Sequence, residues 1–338
     1  MPQTADQERP AVVVVGAGLI GSFVGGVLAS GGADVAFLLR EGSGSKHGDF
    51  PELASKPFGQ PALRTPVEQL SFTDDPSVVA GADLVLVCVK SSATVDAAAK
   101  LRDHLSPATP VVSLQNGMGN VERLRQTLPG ARVLGGLVAF NVVSDGPGSY
   151  RQTTTGGIHV EDGAPEAVDI LRRGGLAVSA ERDIVSLQWG KLLVNLNNAL
   201  VALSDLPLRE QLGDRAWRLI FVRQVEEARA AMKAAGIDPK LPGPNLKLAL
   251  TLLRLPDFAY RIAAKMTIGV DPKARSSMWE DLAAGRPTEI DELQGAIVRL
   301  AASVGRKAPL NARVMELIRG VEAGTVARPV RPQQVAAK

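Results

Sequence analysis

The residues best suited to chemistry lie in one apolar stretch, residues 189–200, with the sequence WGKLLVNLNNAL. Its Lys191, Asn195 and Asn198 have the spacing i, i+4 and i+7, so in a helix they share one face and Asn197 points to roughly the opposite side. A helix that is otherwise apolar all round is predicted to be buried, with its polar groups hydrogen-bonded. Burial lowers the pKa of a lysine and suits it to proton transfer near neutral pH, whereas a structural ion pair is the alternative.

A second segment, residues 276–298, has the sequence SSMWEDLAAGRPTEIDELQGAIV and is expected to supply a partner for this lysine. Glu289 lies at the start of a predicted helix, and Ser277 lies at the start of the helix before it. Acids in a first turn often serve only the helix dipole, and Asp291 and Glu292 have equally suitable positions. Spacing alone therefore does not single out Glu289.

A glycine-rich loop is the other chemical motif of the chain. Gly16, Gly18 and Gly21 fit G-x-G-x-x-G directly after the apolar run 11–15 and at the start of a helical segment. In a dinucleotide-binding loop the first glycine permits the turn, the second lets a pyrophosphate approach the backbone, and the third lets helix and strand pack closely. A merely structural turn is the alternative. The predicted dinucleotide-binding residues are Gly16, Ala17, Gly18, Leu19, Ile20 and Gly21.

The choice between NAD and NADP depends on the end of the second predicted strand. An acid at this position binds the ribose 2′-hydroxyl of NAD, whereas an arginine accepts the 2′-phosphate of NADP. Arg40 follows the apolar run at once and Glu41 comes next. Further donors follow at Ser43, Ser45 and Lys46. The arrangement favours NADP, provided that Glu41 points away from the phosphate.

Two other strand ends carry polar residues. Lys90 follows the run 83–89 and Asn116 follows the run 110–115. Ligands of doubly wound sheets bind beyond the carboxyl ends of the strands, so we expect both side chains near the cofactor. An ordinary turn is the alternative for Asn116. Cys88, inside the apolar run, is predicted to be a core residue.

Short apolar runs alternate with helical stretches in the first half of the chain, which predicts βαβ units and a doubly wound α/β domain of the Rossmann type. Continuous apolar runs are typical of strands buried on both faces. The predicted strands are 11–15, 34–39, 83–89, 110–115 and 132–140. Residues 148–163 are predicted to form a hairpin, and residues 174–183 a last edge strand.

After residue 183 the pattern is almost entirely helical. The predicted helices are 185–204, 209–236, 245–268, 273–284, 288–305 and 310–322. The sequence thus predicts an NADP-binding domain at 1–183, an all-helical substrate domain at 184–324 and a loose, Pro-containing tail at 325–338.

Composition excludes several classes of protein. The 338 residues carry a formal net charge of only +3 without a clustered basic patch, so nucleic-acid binding is not expected. The single cysteine predicts no internal disulfide and fits a reducing cytoplasm, and the three histidines have no metal-ligand spacing. No apolar run approaches ~20 residues and the first ten residues show no signal pattern, so we expect a cytoplasmic protein without membrane association or metal.

Taken together, these residues resemble the ketopantoate reductase (2-dehydropantoate 2-reductase) family over roughly residues 11–322. The resemblance rests on GAGLIG, VCVK, LQNGMGN, WGKLLVN, SSMWEDLAAGRPTEID and G-x-x-APLN, of which the last three in this order are the most specific. It implies a Rossmann-type domain, a helical domain like the C-terminal domain of 6-phosphogluconate dehydrogenase, and an active site in the cleft between them. It also implies reduction of 2-dehydropantoate to pantoate with NADPH, a step of pantothenate and coenzyme A biosynthesis.

The resemblance also implies roles for individual residues. Lys191 matches the lysine that donates the proton to the carbonyl oxygen, and Glu289 matches a glutamate near the substrate hydroxyl and the cofactor. Asn116 matches an asparagine at the nicotinamide and substrate, and Asn195 and Ser277 match substrate-binding positions. The implied cofactor contacts are residues 16–21, Arg40, Lys90, Asn116, Val142 and Glu289.

The chain departs from the family pattern at one position. Eight residues after the lysine, where members carry a second substrate asparagine, it has Ala199. Asn198 replaces that asparagine if the helix register is one residue shorter, and otherwise a different 2-keto or β-dicarbonyl acid is the alternative substrate. A non-catalytic NADPH-binding sensor is a remote alternative, because Lys191 and Glu289 are both present. The apolar segment 246–255 makes a homodimer through the helical domain possible.

Overall fold

The computed structural model describes residues 9–42, 49–241, 246–267 and 274–336. The chain folds into two compact units, Met1–Val185 and Ser186–Lys338. The boundary predicted from the sequence, between residues 183 and 184, falls two residues before this division. The donors predicted beside Arg40, namely Ser43, Ser45 and Lys46, lie outside the described residues.

The described residues of the first unit form two β-sheets. Its described strands are β1 (Ala11–Val15), β2 (Asp34–Leu38), β3 (Glu52–Lys56), β4 (Leu63–Pro66), β5 (Ser71–Thr73), β6 (Leu84–Val87), β7 (Pro110–Ser113), β8 (Arg132–Val138), β9 (Val142–Gly146), β10 (Ser149–Gln152), β11 (Ile158–Glu161) and β12 (Val178–Glu181). Its described α-helices are α1 (Leu19–Ser30), α2 (Thr94–Leu101), α3 (Asn120–Thr127) and α4 (Pro165–Arg173). The large sheet has the order β12-β11-β8-β7-β6-β1-β2-β5, and the small sheet has the order β4-β3-β10-β9.

The central strand β1 shows why the large sheet is covered on both faces. Val12 and Val14 belong to one apolar core cluster, and Val13 and Val15 belong to another. All four side chains are at most 3% exposed. Because successive side chains of a strand point to opposite faces, the two clusters lie on the two sides of the sheet. The continuous apolar run thus corresponds to a strand buried on both faces.

The direction of the strands defines where a ligand can bind. Strand β1 pairs in parallel with β2 and β6, and β7 and β8 continue the parallel order beyond β6. The chain order reverses between β1 and β6, which is where doubly wound sheets bind their ligands. Strand β11 is antiparallel to β8 and parallel to β12, so these two strands run in the opposite direction. The predicted α/β class with a doubly wound sheet is confirmed.

The prediction of a hairpin at 148–163 is wrong. Strand β10 pairs antiparallel with the preceding strand β9, whereas β11 belongs to the large sheet. Gly146 and Gly148 adopt positive φ values of 139° and 68°, so the turn lies one strand earlier than predicted. The small sheet as a whole was not predicted, because the ELASK and LRTP sequences of β3 and β4 lack a clear apolar alternation. The predicted edge strand is present as β12.

The second unit is helical throughout the described residues. Its helices are α5 (Ile184–Asn195, which begins two residues before the division), α6 (Asn197–Ser204), α7 (Leu208–Gly213), α8 (Arg215–Ala234), α9 (Leu246–Arg254), α10 (Asp257–Thr267), α11 (Ser277–Ala283), α12 (Gln294–Ser303), α13 (Pro309–Glu322) and α14 (Pro332–Ala336). None of the described helices combines the length and hydropathy that are needed to cross a membrane.

Three predicted long helices are each divided in two. Helix 185–204 is interrupted at Leu196. Helix 209–236 is divided where Asp214 caps α8, its Oδ1 accepting the Ala216 N–H at 2.8 Å. Helix 245–268 is divided at Pro256, which cannot continue a helix without losing a backbone hydrogen bond. Only the last two interruptions follow from local sequence signals.

Two further predictions are corrected. Glu289 does not lie in a helix, because α12 begins at Gln294 and the Glu289 carbonyl accepts the N–H groups of Glu292 and Leu293 in a turn. The tail is not loose over its described part, because α14 is formed there. Val330 and Val335 are 3% and 1% exposed, and the Val330 N–H donates to the Leu203 carbonyl at 2.8 Å.

Candidate active site

The glycine loop follows β1 and leads into α1 in the way that the motif predicts. Gly16 has a φ of +101°, and a Cβ atom there would lie 2.8 Å from the Val89 side chain. At Gly21 a Cβ atom would lie 2.0 Å from the Gly16 carbonyl oxygen. Both positions therefore require glycine for conformational or steric reasons within the protein itself.

Gly18 differs from these two glycines. Its φ of −79° is accessible to any residue, and a Cβ atom there would have no atom of the described protein within 4 Å. Gly18 is also the N-cap of α1, which has no side-chain cap and no acid in its first turn. The space beside it and the unshielded N-terminus of α1 fit the pyrophosphate of a dinucleotide. Ala17, Leu19 and Ile20 are partly buried against the apolar core of this unit.

The charged residues after β2 and β6 lie at the same sheet edge as the loop, because these strands are parallel to β1. Arg40 and Glu41 are both exposed after β2, and Lys90 is exposed after β6. The Gly42 N–H donates to Asp74 Oδ2 at 3.2 Å, which links the segment after β2 to the segment after β5. This edge can hold the negatively charged part of a dinucleotide.

Asn116 follows β7 at this edge, and a network of buried side chains fixes its backbone. The Asn116 carbonyl accepts from Asn120 Nδ2 at 2.8 Å and from Ser91 Oγ at 3.2 Å. Gln115 Nε2 donates to the Val89 carbonyl at 2.9 Å. The segments after β6 and β7 are therefore joined by hydrogen bonds. Sequence reasoning missed Ser91, Gln115 and Asn120, although three amides close together around a strand end were a usable signal.

Val142 belongs to the small sheet. It is the first residue of β9 in the small sheet, opposite Gln152 of β10. It is 7% exposed and belongs to the apolar core of the first unit. The structure therefore gives its side chain a packing role, and its contact with a cofactor stays a prediction.

In the second unit the structure brings Lys191 and Glu289 together. Burial lowers the pKa of Lys191 from its ordinary value of 10.5 to about 8, and the nearby negative charge of Glu289 raises it in part. Asp291, the competing acid of the same segment, forms an ion pair with Arg319 at 2.5 Å instead. A partly buried lysine with such a pKa can hold or release a proton near neutral pH.

The polar face predicted for residues 191–198 is divided by the helix interruption. Asn195 is the partly buried last residue of α5, whereas Asn198 lies in the first turn of α6. Asn197, which the spacing placed on the opposite side of the helix, is buried and exchanges hydrogen bonds with Gln211 at 3.1 and 3.3 Å. Its amide therefore has a structural role. Ala199 is completely buried, so position 199 offers only a methyl group inside the core.

A serine that sequence reasoning missed connects the two segments that carry the predicted substrate residues Asn198 and Ser277. Ser276 caps α11, its Oγ accepting the Trp279 N–H at 3.1 Å. The same hydroxyl donates to the Asn198 carbonyl at 2.9 Å. Ser277, the next residue, is exposed at the first position of the helix. Ser276 thus fixes the start of α11 against the start of α6, and the capping position was the available signal.

No group of three or more histidine, cysteine or acidic residues in the described chain has the arrangement of a metal site. His159 of β11 instead forms hydrogen bonds with Glu181 and with Ser179 of the neighbouring edge strand β12, both at 2.8 Å. Cys88 packs against the apolar core, and burial raises the pKa of its thiol to about 12. The contacts of His159 and Cys88 thus indicate structural roles.

Comparison with known proteins gives one consistent result. The family model described as ketopantoate reductase PanE/ApbA matches residues 12–165, and the model described as its C terminal matches residues 183–322. The 2-dehydropantoate 2-reductase of Halobacterium salinarum is 32% identical over 316 residues, which cover 91% of this chain and 97% of the relative.

Solved structures agree with this assignment. A PanE/ApbA family ketopantoate reductase from Ralstonia eutropha JMP134 is 30% identical, with a TM-score of 0.78 and coverage of 93% of this chain and 99% of that chain. D-mandelate dehydrogenase, in a ternary structure with NADH and anilino(oxo)acetate, shares the fold at 21% identity and a TM-score of 0.74, with coverage of 93% and 99%. The chain therefore belongs to the ketopantoate reductase family, whose members are NADPH-dependent oxidoreductases that act on CH–OH groups.

Proposed function

We propose that this protein reduces 2-dehydropantoate to pantoate with NADPH, in the synthesis of pantothenate. The observation that carries the proposal is the pair Lys191 and Glu289, with burial lowering the lysine pKa to about 8. The curated relatives that cover nearly the whole chain are 2-dehydropantoate 2-reductases, which supports the choice of substrate.

The first unit is proposed to bind NADPH. The N–H groups at the start of α1 bind the pyrophosphate beside Gly18, where the structure leaves space next to the backbone. Arg40 and Lys90 are proposed to neutralise the phosphate of the adenosine ribose, and Asn116 and Val142 to contact the nicotinamide half. When bound, the cofactor supplies the hydride for the ketone carbon.

Lys191 is proposed to donate a proton to the carbonyl oxygen while negative charge develops there. At pH 7 a lysine with a pKa of about 8 is about 90% protonated, so the donor is in the correct state. Glu289 favours the charged lysine and is proposed to contact the substrate hydroxyl. Asn195, Asn198 and Ser277 are proposed to orient the acid and hydroxyl groups of the substrate.

A second candidate substrate is supported by one observation. Ala199 is completely buried and has no polar atom to offer, so an amide contact at this position is missing. D-mandelate dehydrogenase has the same fold and is named for a different 2-hydroxy acid. The alternative is therefore a related reductase that acts on another 2-keto or β-dicarbonyl acid.

Steady-state kinetics distinguish the two candidates. NADPH oxidation is measured with 2-dehydropantoate and with a series of bulkier 2-keto acids, and NADH is run beside NADPH. We expect the highest kcat/KM with 2-dehydropantoate and NADPH. A higher kcat/KM for another keto acid would select the second candidate, and no turnover with any keto acid would refute both and favour a sensor.

A homodimer in the cytoplasm is part of the same proposal. Three large apolar side chains of α9 and α10, Leu248, Phe258 and Ile262, are 57%, 71% and 63% exposed, which supports pairing of these helices between two copies. Light scattering coupled to gel filtration measures the mass of the particle. A monomer at micromolar concentration would contradict the dimer and leave the proposed reaction unaffected.

A further inference from the structure

The interruption at Leu196 separates residues that the proposed reaction needs. Lys191 and Asn195 lie on α5 before it, and Asn198 lies on α6 after it. The Leu196 backbone itself is close to helical, with a φ of −56° and a ψ of −26°. The chain therefore changes direction only slightly between α5 and α6. Contacts that fix Leu196 also fix the positions of Lys191 and Asn195 on one side and of Asn198 on the other.

A buried carboxamide contacts this point from a distant part of the sequence. Gln294 is the first residue of α12 and is completely buried. Its Nε2 donates to the Leu196 carbonyl at 2.9 Å and to Gln224 Oε1 of α8 at 3.2 Å. The first contact fixes the start of α12 against the interruption at Leu196, whereas the second joins Gln294 to α8, away from the interruption.

The same residue is connected to the turn that carries Glu289. The Glu289 carbonyl accepts the N–H of Leu293 at 3.2 Å, and the Ile290 carbonyl accepts the N–H of Gly295 at 3.0 Å. The turn and the first residues of α12 are thus one hydrogen-bonded segment. A shift of Gln294 relative to Leu196 would change the separation of Glu289 and Lys191.

We propose that Gln294 is a positioning residue, whose carboxamide holds the interruption between α5 and α6 at a fixed place relative to the turn that carries Glu289. It acts through the backbone and contacts neither substrate nor cofactor. The inference rests on the proposed function, because the spacing that it sets is that of Lys191 and Glu289. It assigns a role in the reaction to a residue deep in the helical core.

The test compares Gln294→Met with Gln224→Met. Both replace a completely buried glutamine of the same network by an apolar side chain of similar size, but only the first removes the contact with Leu196. We expect Gln294→Met to lower kcat by about tenfold to a hundredfold, since small displacements of catalytic groups have effects of this size, with little change in the Kd for NADPH. Gln224→Met is expected to keep kcat within about twofold. Equal losses in both variants, or no loss in Gln294→Met, would overturn the inference.

A second readout does not depend on turnover. The pKa of Lys191 is measured by its rate of acetylation with acetic anhydride at a series of pH values, with the peptide quantified by mass spectrometry. In Gln294→Met we expect a lower pKa, because the raising effect of Glu289 weakens with distance, and in Gln224→Met we expect the wild-type value. An unchanged or higher pKa in Gln294→Met contradicts the positioning role.

The two readouts separate the two proposals. If the wild type does not reduce 2-dehydropantoate, the proposed function fails while the acetylation experiment still decides the role of Gln294. If Gln294→Met does not fold, Gln294→Asn keeps the amide and shortens the side chain by one methylene group. We expect Gln294→Asn to lower both kcat and the pKa of Lys191, each by less than is expected for Gln294→Met. Wild-type values of both would overturn the inference.

Discussion

Replacing Lys191 is expected to stabilise the protein while it lowers the proposed activity by about a hundredfold or more. In Lys191→Met a side chain of similar length loses its charge. The folded structure lowers the pKa of this lysine from 10.5 to about 8 because burial disfavours the ammonium. The charged form is therefore less favourable in the folded than in the unfolded protein, and methionine avoids that cost.

The size of the effect follows from the two pKa values. Each pK unit corresponds to about 1.4 kcal/mol, so the difference between 10.5 and about 8 corresponds to about 3 kcal/mol. This net shift already includes the raising effect of Glu289, so the expected gain at pH 7 is about 3 kcal/mol. The cost is fully present below the folded pKa of about 8 and disappears as the pH rises towards 10.5. The gain from the substitution must therefore shrink at high pH.

Tryptophan fluorescence provides a suitable assay. The chain has three tryptophans, Trp189, Trp217 and Trp279, and all of them lie in the helical unit. Urea unfolding followed by this signal should show a midpoint that is higher by about 1 M in Lys191→Met at pH 7, and by much less at pH 10. Reduction of 2-dehydropantoate should fall by about a hundredfold or more, with NADPH binding retained.

Lys233→Met is the matched control, because Lys233 is exposed near the end of α8. It should leave both the midpoint and the turnover close to wild type at each pH. The reasoning is refuted if Lys191→Met is no more stable than the wild type at pH 7. A gain of the same size at pH 7 and pH 10 would refute it equally, since that gain would not come from the ammonium.

The remaining predictions concern the glycine loop and the buried arginine of the helical unit. Gly18→Ala should leave the melting temperature unchanged but raise the Kd for NADPH at least about tenfold in fluorescence titration, because its Cβ would meet only the ligand. Gly21→Ala should lose about 2 kcal/mol or more of unfolding free energy by thermal denaturation, because its Cβ would lie 2.0 Å from a carbonyl oxygen. Arg40→Ala should raise KM for NADPH much more than KM for NADH; an equal rise would show that Arg40 does not recognise the 2′-phosphate. Arg218→Met should lose about 3 kcal/mol in urea unfolding, because the completely buried guanidinium donates to the carbonyls of Leu212, Leu253 and Leu255.

The large sheet and the glycine loop could be predicted because their signals are local. Each strand from β1 to β8 in that sheet, except the short β5, is a continuous apolar run, and the loop is a fixed spacing of three glycines. The small sheet could not be predicted in the same way. Strand β3 pairs with β10, about 95 residues later, and neither has a regular apolar pattern.

The candidate site shows the same division. Lys191 was identifiable as an isolated charge in an apolar helix, which is a local signal. The choice of Glu289 over Asp291 had no local signal, because it depends on the ion pair that Asp291 forms with the distant Arg319. The interruption at Leu196 was also hidden, because the residue that contacts its carbonyl lies 98 positions away. The family resemblance supplied the prediction of Glu289, and only the structure revealed the interruption at Leu196.

The division of the polar face at Leu196 has a consequence for how such an enzyme can change during evolution. Lys191, the proposed proton donor, lies on α5, whereas Asn198 and Ala199 lie on α6. We expect substitutions on α6 to alter which keto acid binds without moving Lys191 on α5. Under the proposed function, residues for proton transfer and residues for substrate selectivity thus lie on different helices and can change independently. Saturating positions 198 and 199 while leaving 191 intact is accordingly a short route to reductases with new substrates.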